Sequence, residues 1–383
     1  MRTADVLIIG GGVIGCSIAY HLLRRDGNLR VILLEREAMV GMGSTSKATG
    51  GIRHQFSSSA NIRLTQLSLP FYLRFEEETG YSVHFRPHGY LFLTADTRVF
   101  EEFRRSVALQ NSLGVPSRLV SPEEVAALVP GLRAEDLVGG TFCDRDGTAE
   151  PAAAVQGFAA RAQSMGLEIL TREEVVALVR EEDRITGART RNDVFYAPVV
   201  VVAAGAHSAE ITATAGLEIP VRPYRRQVCV VAPLPELDVD MPLTVDMDTG
   251  FYIHRMGHSG LLLGGTDKDT RPGFSLDVDW EGVERLLSAG VRRIPLLARA
   301  QVVRTYVGLR ALTPDHHPLL GRVAAVEGLV LACGDSGHGF MHAPAIGLLV
   351  SEEILDGQAK TMDLSPFRLE RFSRKVQGEA QVF

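Results

Sequence analysis

Six residues near the N-terminus, Gly10-Gly11-Gly12-Val13-Ile14-Gly15, constrain the fold more than any other stretch of the chain. They stand between an apolar run, Val6-Leu-Ile-Ile9, and a segment from Val13 to Arg25 in which Ile14, Ile18 and Leu22 recur at helical spacing; a second apolar run, Val31-Ile-Leu-Leu34, comes next. The pattern predicts strand, helix, strand. In such a unit Gly10 and Gly12 make the tight turn and let a pyrophosphate approach the backbone. Val13 and Ile14 open the helix whose N-terminus meets the phosphate, and Gly15 lets helix and strand pack closely. Glu35 lies 20 residues beyond Gly15, at the end of the second strand. There a carboxylate accepts hydrogen bonds from a ribose hydroxyl and repels a 2′-phosphate.

The glycine turn by itself serves flavin and nicotinamide dinucleotides alike. The residues after Glu35 separate them. Arg36 leads into Gly41-Met-Gly43-Ser44-Thr45-Ser46 and then Thr49-Gly50-Gly51-Ile52-Arg53, where a nicotinamide domain normally continues with another strand and helix. A loop of hydroxyls and bare backbone is suited to lie along an extended cofactor. Further on, periodicity predicts helices over 60–78, 97–113 and 151–165 and strands at 89–93 and 175–179. Ser121-Pro122-Glu123-Glu124 has the form of a helix-opening capping box. The very apolar run Val199 to Ala203 ends in Ala204-Gly205 and looks like a strand returning to the nucleotide-binding sheet. Alternation from 226 to 264 predicts antiparallel strands, then a helix at 280–287, strands at 301–307 and 329–333, a final helix over 345–355, and a tail, 375–383, that frays.

A net charge of −6 and a pI near 6.0 give no basic field, which argues against nucleic acid as a partner. The apolar run at 197–206 is about half the roughly 20 residues a membrane-spanning helix needs. With no cleavage site after the first apolar stretch, the expected location is the cytoplasm. The four cysteines, 16, 143, 229 and 333, lie far apart and read as buried free thiols. His316-His317 and the pair His338 and His342 lack companion ligands, so no metal is expected.

Taken together, five motifs in order resemble the D-amino-acid oxidase superfamily of flavoproteins, in its branch with sarcosine oxidase, glycine oxidase and proline dehydrogenase β-subunits. They are Ile8-Ile9-Gly10-Gly11-Gly12 with Glu35-Arg36; Gly43-Ser44-Thr45-Ser46 leading to Gly51-Ile52-Arg53; Val202-Ala-Ala-Gly205; Gly308-Leu-Arg-Ala-Leu-Thr-Pro-Asp315; and Gly337-His-Gly-Phe-Met341. The resemblance implies an α/β and α+β architecture like that of p-hydroxybenzoate hydroxylase. A Rossmann-type FAD-binding domain would be assembled from 1–85, 148–222 and 308–365, with an inserted mixed or antiparallel-sheet substrate domain from 86–147 and 223–307 and a C-terminal tail, 366–383.

It also implies FAD as cofactor, held by the residues above together with Gly50, Gly51, Val175, Ala204, Gly205, Gly337, Gly339, Phe340 and Met341, with His338 a catalytic candidate in the same loop or else a structural histidine. In such proteins that loop points donors at the flavin edge where negative charge grows as hydride reaches N5. Arg53 and Arg310 match substrate-side positions, where a guanidinium suits an amino-acid carboxylate, and Tyr252 matches a substrate-facing tyrosine. Each also has a plain structural reading, as an internal ion-pair partner or a core aromatic.

Three departures matter. No cysteine stands near the start of the Gly308 segment, so FAD is expected to be non-covalent. The strand Gly260-Leu-Leu-Leu-Gly264 carries no lysine to favour reaction with O₂, and Met341 stands where sarcosine oxidases have another. Leu262 and Met341 would form an apolar roof suited to a small secondary amine. The expected activity is oxidation of sarcosine or a related N-methyl or cyclic amino acid, with O₂ or another electron acceptor, by a monomer or a subunit of a larger complex. A glycine-type primary amine oxidase, a proline-dehydrogenase-like subunit and a non-catalytic FAD-bearing assembly protein remain open alternatives.

Overall fold

The computed structural model describes all residues except 1, 235, 238, 239, 256–259, 267–269, 375–377, 382 and 383. The first unit forms as its periodicity predicts, with a strand Val6–Ile9, a helix Val13–Arg25 and a strand Val31–Glu35. These strands lie inside a six-stranded sheet in the order 319–322, 329–333, 199–202, 6–9, 31–35, 168–171. Neighbours run parallel except for Leu319–Arg322, which is antiparallel to Leu329–Cys333. The chain winds outward from 6–9 through 31–35 to 168–171, then restarts on the other side at Val199–Val202. That reversal opens a crevice at the carboxyl end of the 6–9 strand, the place where open α/β sheets bind ligands.

Both faces of this sheet are covered, which explains its unbroken apolar strands. Val6, Ile8, Val31 and Leu33 pack on one side with the helices Val13–Arg25, Pro151–Ser164 and Gly339–Leu355. Leu7, Ile9, Ile32 and Leu34 point the other way, into a core shared with the strands Val175–Glu181 and Arg184–Thr190. The 13–25 and 339–355 helices cross so closely that a Cβ on Gly347 would sit 2.2 Å from the Ser17 hydroxyl.

An eight-stranded sheet, in the order 302–312, 222–231, 261–265, 251–255, 243–246, 90–94, 139–143, 118–120, forms the second layer. It is antiparallel apart from the 243–246 and 90–94 pair, and so it is mixed. One face packs under the helix Trp280–Arg293. The other carries Tyr90, Val228, Tyr252, Leu262 and Tyr306. The strand Val302–Leu312 runs unbroken across residue 308, so the eight-stranded sheet extends past that point.

Several boundaries differ from expectation. The helix predicted over 60–78 is interrupted at Arg74, giving Ser59–Leu73 and Phe75–Thr79. The last helix begins at Gly339, six residues before the predicted start. Proline lacks an N–H and breaks helices locally, which is why the sequence predicts a start only after Pro344. Here the carbonyl it leaves unbonded, that of Phe340, accepts a hydrogen bond from the Tyr72 hydroxyl instead. The tail also departs from the fraying expected of it. Residues 375–377, 382 and 383 lie outside the described residues, but Glu379 and Gln381 are buried.

Candidate active site

A cavity of about 520 Å³ lies between the two sheets. It begins at the crevice beside Gly10, Gly12, Val13 and Ile14 and ends under the face that bears Tyr252 and Arg310. Gly10 has φ +110° and its Cβ would meet the Ala203 carbonyl at 2.5 Å, so no other residue makes this turn without strain. Gly15 stays off the cavity wall and does the packing job expected of it, with a Cβ there falling 2.0 Å from the Gly10 carbonyl. Glu35 lines the crevice. Its two oxygens accept the backbone N–H groups of Gly11 at 2.7 Å and Glu37 at 2.8 Å, which fixes the carboxylate at the wall.

In the next loop Thr45 Oγ1 accepts from the Val13 N–H at 3.1 Å, tying the loop to the helix N-terminus. The Ser44 hydroxyl donates to the Leu309 carbonyl at 2.8 Å, tying it to the other sheet. Ser46 folds back on the Met42 and Gly43 carbonyls and is not part of the wall. Gly43, Gly50, Gly51, Val175, Ala204 and Gly205 all line the cavity, and so does Arg36, whose guanidinium pairs with Glu37 at the rim. A Cβ on Gly43 would meet nothing within 4 Å, and one on Gly12 only the Thr45 hydroxyl at 3.4 Å. These bare stretches of backbone along a crevice ending at a carboxylate and a helix N-terminus fit the ADP half of FAD.

The far end is set by the roof and by the loop before the 339–355 helix. Tyr252 pairs across the sheet with Gly264, and its ring occupies the space where a Gly264 side chain would be, 2.0 Å from the ideal Cβ. Burial raises the pKa of the phenol, while Arg310 and Arg226 pull it back down. Arg310 lies across Gly337, whose Cβ would be 2.9 Å from its Cδ and Nε; with φ +90° Gly337 suits only glycine. Asp335, part-buried beside them, has its carboxyl pushed up to about 6 by desolvation, although Arg310 and the Gly339 N–H act against the shift. Gly339, Phe340 and Met341 form the first turn of the helix and reach the wall. Leu262 packs behind Tyr252 and does not reach it.

Like His338, Arg53 also lines the cavity, but its bonds run into the protein. It is fully buried and donates to the carbonyls of Gln55 and of Gln381, the latter at 3.0 Å, and lies 3.9 Å over the Phe56 ring. Its Nη2 is also 3.3 Å from His338 Nε2. A guanidinium only donates, so Nε2 must accept and the proton of His338 sits on Nδ1. Burial first, and then the charge of Arg53, holds His338 well below the usual histidine range, so the ring is neutral.

Many wall residues were not anticipated, four of them polar side chains near the far end. Tyr90, Asp335, Lys47 and Arg226 all line the cavity. The Lys47 stem packs on Gly308, 2.7 Å from where a Cβ would lie, so a lysine enters the site from the loop and not from the 261–265 strand. Its loop position gave no signal in the sequence; Arg226 could have been found by alternation once Val228 was known to face inward. Among the described residues one trio, His54, Cys143 and Asp146, has ligand atoms within 4.8 Å of one another. Asp146 Oδ1 already accepts from the His54 backbone at 2.8 Å and from its Nδ1 at 2.7 Å, a complete hydrogen-bonded unit. The four cysteines are free and buried, and none lines the cavity. No described helix is long and apolar enough to cross a membrane.

Residues 5–353 match the family described as FAD dependent oxidoreductase. The chain is 28% identical to sarcosine oxidase subunit beta of an Arthrobacter species over 377 residues, covering 97% of this chain and 91% of that one. It is also 28% identical to human mitochondrial sarcosine dehydrogenase over 389 residues, but spans only 42% of that protein's length. Among solved structures, L-proline dehydrogenase from P. horikoshii superposes with a TM-score of 0.90 at 32% identity, covering 97% of this chain and 98% of that one. The glycine crevice, the glycine-rich loop crossing between the sheets and these likenesses agree: the chain belongs to the FAD dependent oxidoreductase family, in its flavin-dependent amino-acid oxidoreductase branch, and FAD is its cofactor.

Proposed function

We propose that the chain oxidises a small amino acid carrying a secondary amine, N-methyl or cyclic as in sarcosine or proline, at the carbon beside the nitrogen. The observation that carries this reading is the meeting of Arg310, Tyr252 and Met341 on one end of the cavity. Arg310 would hold the carboxylate, Tyr252 would donate to it or to the departing product, and Met341 would keep water away from the amine. The cationic wall lowers the pKa of the bound amine and so favours the neutral form with its lone pair free. The C–H bond beside nitrogen breaks, the lone pair forms the C=N bond, and water later cleaves the imine to an amine and a carbonyl compound. When bound, FAD supplies the acceptor for the hydride. With every cavity-wall residue other than cysteine, we further propose that it is held non-covalently by the residues of the crevice and loop, with the six-stranded sheet serving the cofactor and the eight-stranded sheet the substrate.

A second reading is a dehydrogenase acting as one subunit or domain of a larger assembly. It is favoured by the likeness to a β-subunit and to part of a longer sarcosine dehydrogenase, and by the lysine-free 261–265 strand. Anaerobic mixing of the flavin-loaded protein with sarcosine, proline and glycine, and then admission of air, tests both. Bleaching of the flavin by sarcosine or proline faster than by glycine is expected. Failure of all three to bleach it at any concentration would sink the proposed oxidation, and prompt reoxidation by air would exclude the dehydrogenase reading.

A further inference from the structure

The 339–355 helix starts at the cavity wall, which its first residues, Gly339, Phe340 and Met341, help to line. The first turn of an α-helix carries N–H groups with no partner inside the helix, and together with the helix dipole they favour negative charge there. That turn contains no acidic residue, and the N-cap, His338, makes no side-chain cap. A carboxylate reaches it from outside the helix instead. The chain turns back through Ser336 at φ +52° and Gly337 at φ +90°, with the His338 N–H donating to the Asp335 carbonyl at 2.8 Å. Ser336 holds this turn in place, its hydroxyl accepting from the Thr313 N–H at 3.1 Å and donating to the Gly334 carbonyl at 3.2 Å. The Asp335 side chain is thereby laid over Gly339: Oδ2 lies 1.5 Å from where a Cβ on that glycine would be, and the carboxylate accepts the Gly339 N–H. Only glycine at 339 leaves room for it.

Asp335 itself lines the cavity. With the ADP half of FAD in the glycine crevice, the ring system lies toward the opposite end, where this helix begins. Above neutral pH, taking up two electrons and one proton leaves a flavin with an added negative charge, which the N–H groups of the turn favour and a neighbouring carboxylate opposes. We propose that Asp335 holds down the reduction potential of the bound flavin, by placing a negative charge of its own on the N-terminus of the 339–355 helix. Desolvation pushes this carboxyl up to about 6, against the charge of Arg310 from the 302–312 strand and the Gly339 N–H, so it is ionised in mildly alkaline solution and loses its charge in mild acid. The other titratable groups next to it keep one form throughout. The Cys333 thiol, on the preceding strand, is pushed up by burial and further by the charge of Asp335, and His338 is held neutral. The proposal depends on FAD being the cofactor and not on which amine is oxidised.

The test is the midpoint potential of the flavin-loaded protein, measured without substrate by anaerobic reduction beside dyes of known potential, for the parent, Asp335→Asn and Asp335→Ser. Asparagine keeps the shape of the side chain and an acceptor for the Gly339 N–H, and serine keeps a smaller acceptor, so a shift common to both reports the charge. At about pH 8 each variant should favour the reduced flavin about tenfold more than the parent does, an upward shift of about 30 mV for a two-electron couple. At about pH 5, where the parent's carboxyl and the reduced ring both take up protons, that difference should shrink to a small part of its alkaline value. Variants that match the parent in alkaline solution, or fall below it, overturn the inference. So does a difference of the same size in acid, which would come from altered packing and not from charge. Loss of flavin from both variants overturns it too, because the carboxylate would then be holding the cofactor instead of tuning it. With no amine present, none of these outcomes bears on the oxidation proposed above.

Discussion

Arg53 and Arg310 occupy the same local setting, Gly51-Ile-Arg53 and Gly308-Leu-Arg310, and nothing within three residues of either tells their tasks apart. Burial does. Both line the cavity, but Arg53 is fully buried and donates to the Gln55 and Gln381 carbonyls and to His338, whereas Arg310 is half-buried. Replacing Arg53 with methionine should therefore lower stability by about 2–4 kcal/mol, because two buried carbonyls lose their donor. Arg310→Met should shift the urea midpoint less, yet raise the sarcosine concentration needed for half-maximal bleaching by about tenfold or more. Equal losses of stability in the two variants would contradict this division. His338, kept neutral, supplies no proton in the ordinary working range, in keeping with a hydride transfer that needs no strong base.

At the scale of elements, the parts that could be read were those whose reasons are local. The 6–9 strand, the glycine turn and the 13–25 helix come from periodicity and from glycines whose missing Cβ atoms the fold requires, and the Ser121 capping box forms as its spacing demands. The parts that could not be read depend on distant partners. The helix at 339–355 tolerates Pro344 because the Tyr72 hydroxyl, far away in sequence, takes up the Phe340 carbonyl. Arg226 is visible as an alternating residue, but only the register with 302–312 puts it beside Arg310. Tyr72→Phe removes one hydroxyl and little volume, so it isolates the first of these effects. It should cost about 1–3 kcal/mol in urea unfolding and loosen the turn that brings Phe340 and Met341 to the wall. A variant as stable as the parent would mean that the proline is accommodated by some other means.

Across the whole molecule, the segment after the 339–355 helix works as a brace between the layers. Arg371 grips Asp315 with Nε to Oδ2 at 2.7 Å and Nη2 to Oδ1 at 2.9 Å, both side chains being almost completely buried. Burial pushes the Asp315 carboxyl up, but hydrogen bonds from His317 and Arg371 and the charge of Arg371 outweigh it and hold it well below the usual carboxylate range. A depressed folded-state pKa gives stability that is complete above the unfolded value of about 3.9 and is lost as pH falls through the folded value. Arg371→Met leaves a buried charge alone and should cost about 3–5 kcal/mol at pH 7. The gap between variant and parent, tracked by urea midpoints, should narrow as the pH drops toward and below 4. A gap that is constant with pH would assign the loss to packing.

Farther along, Glu379 accepts from the hydroxyls and N–H groups of Ser57 and Ser58 and from Asn61, while the Gln381 carbonyl receives Arg53. Residue 53 leaves the ribosome more than three hundred residues before 381, so for most of synthesis its guanidinium has no seat for one of its donors. The seat of Arg53, a side chain at the cavity wall, is therefore completed long after Arg53 itself is made, and a nascent chain stalled short of 378 would lack the Gln381 carbonyl that holds it.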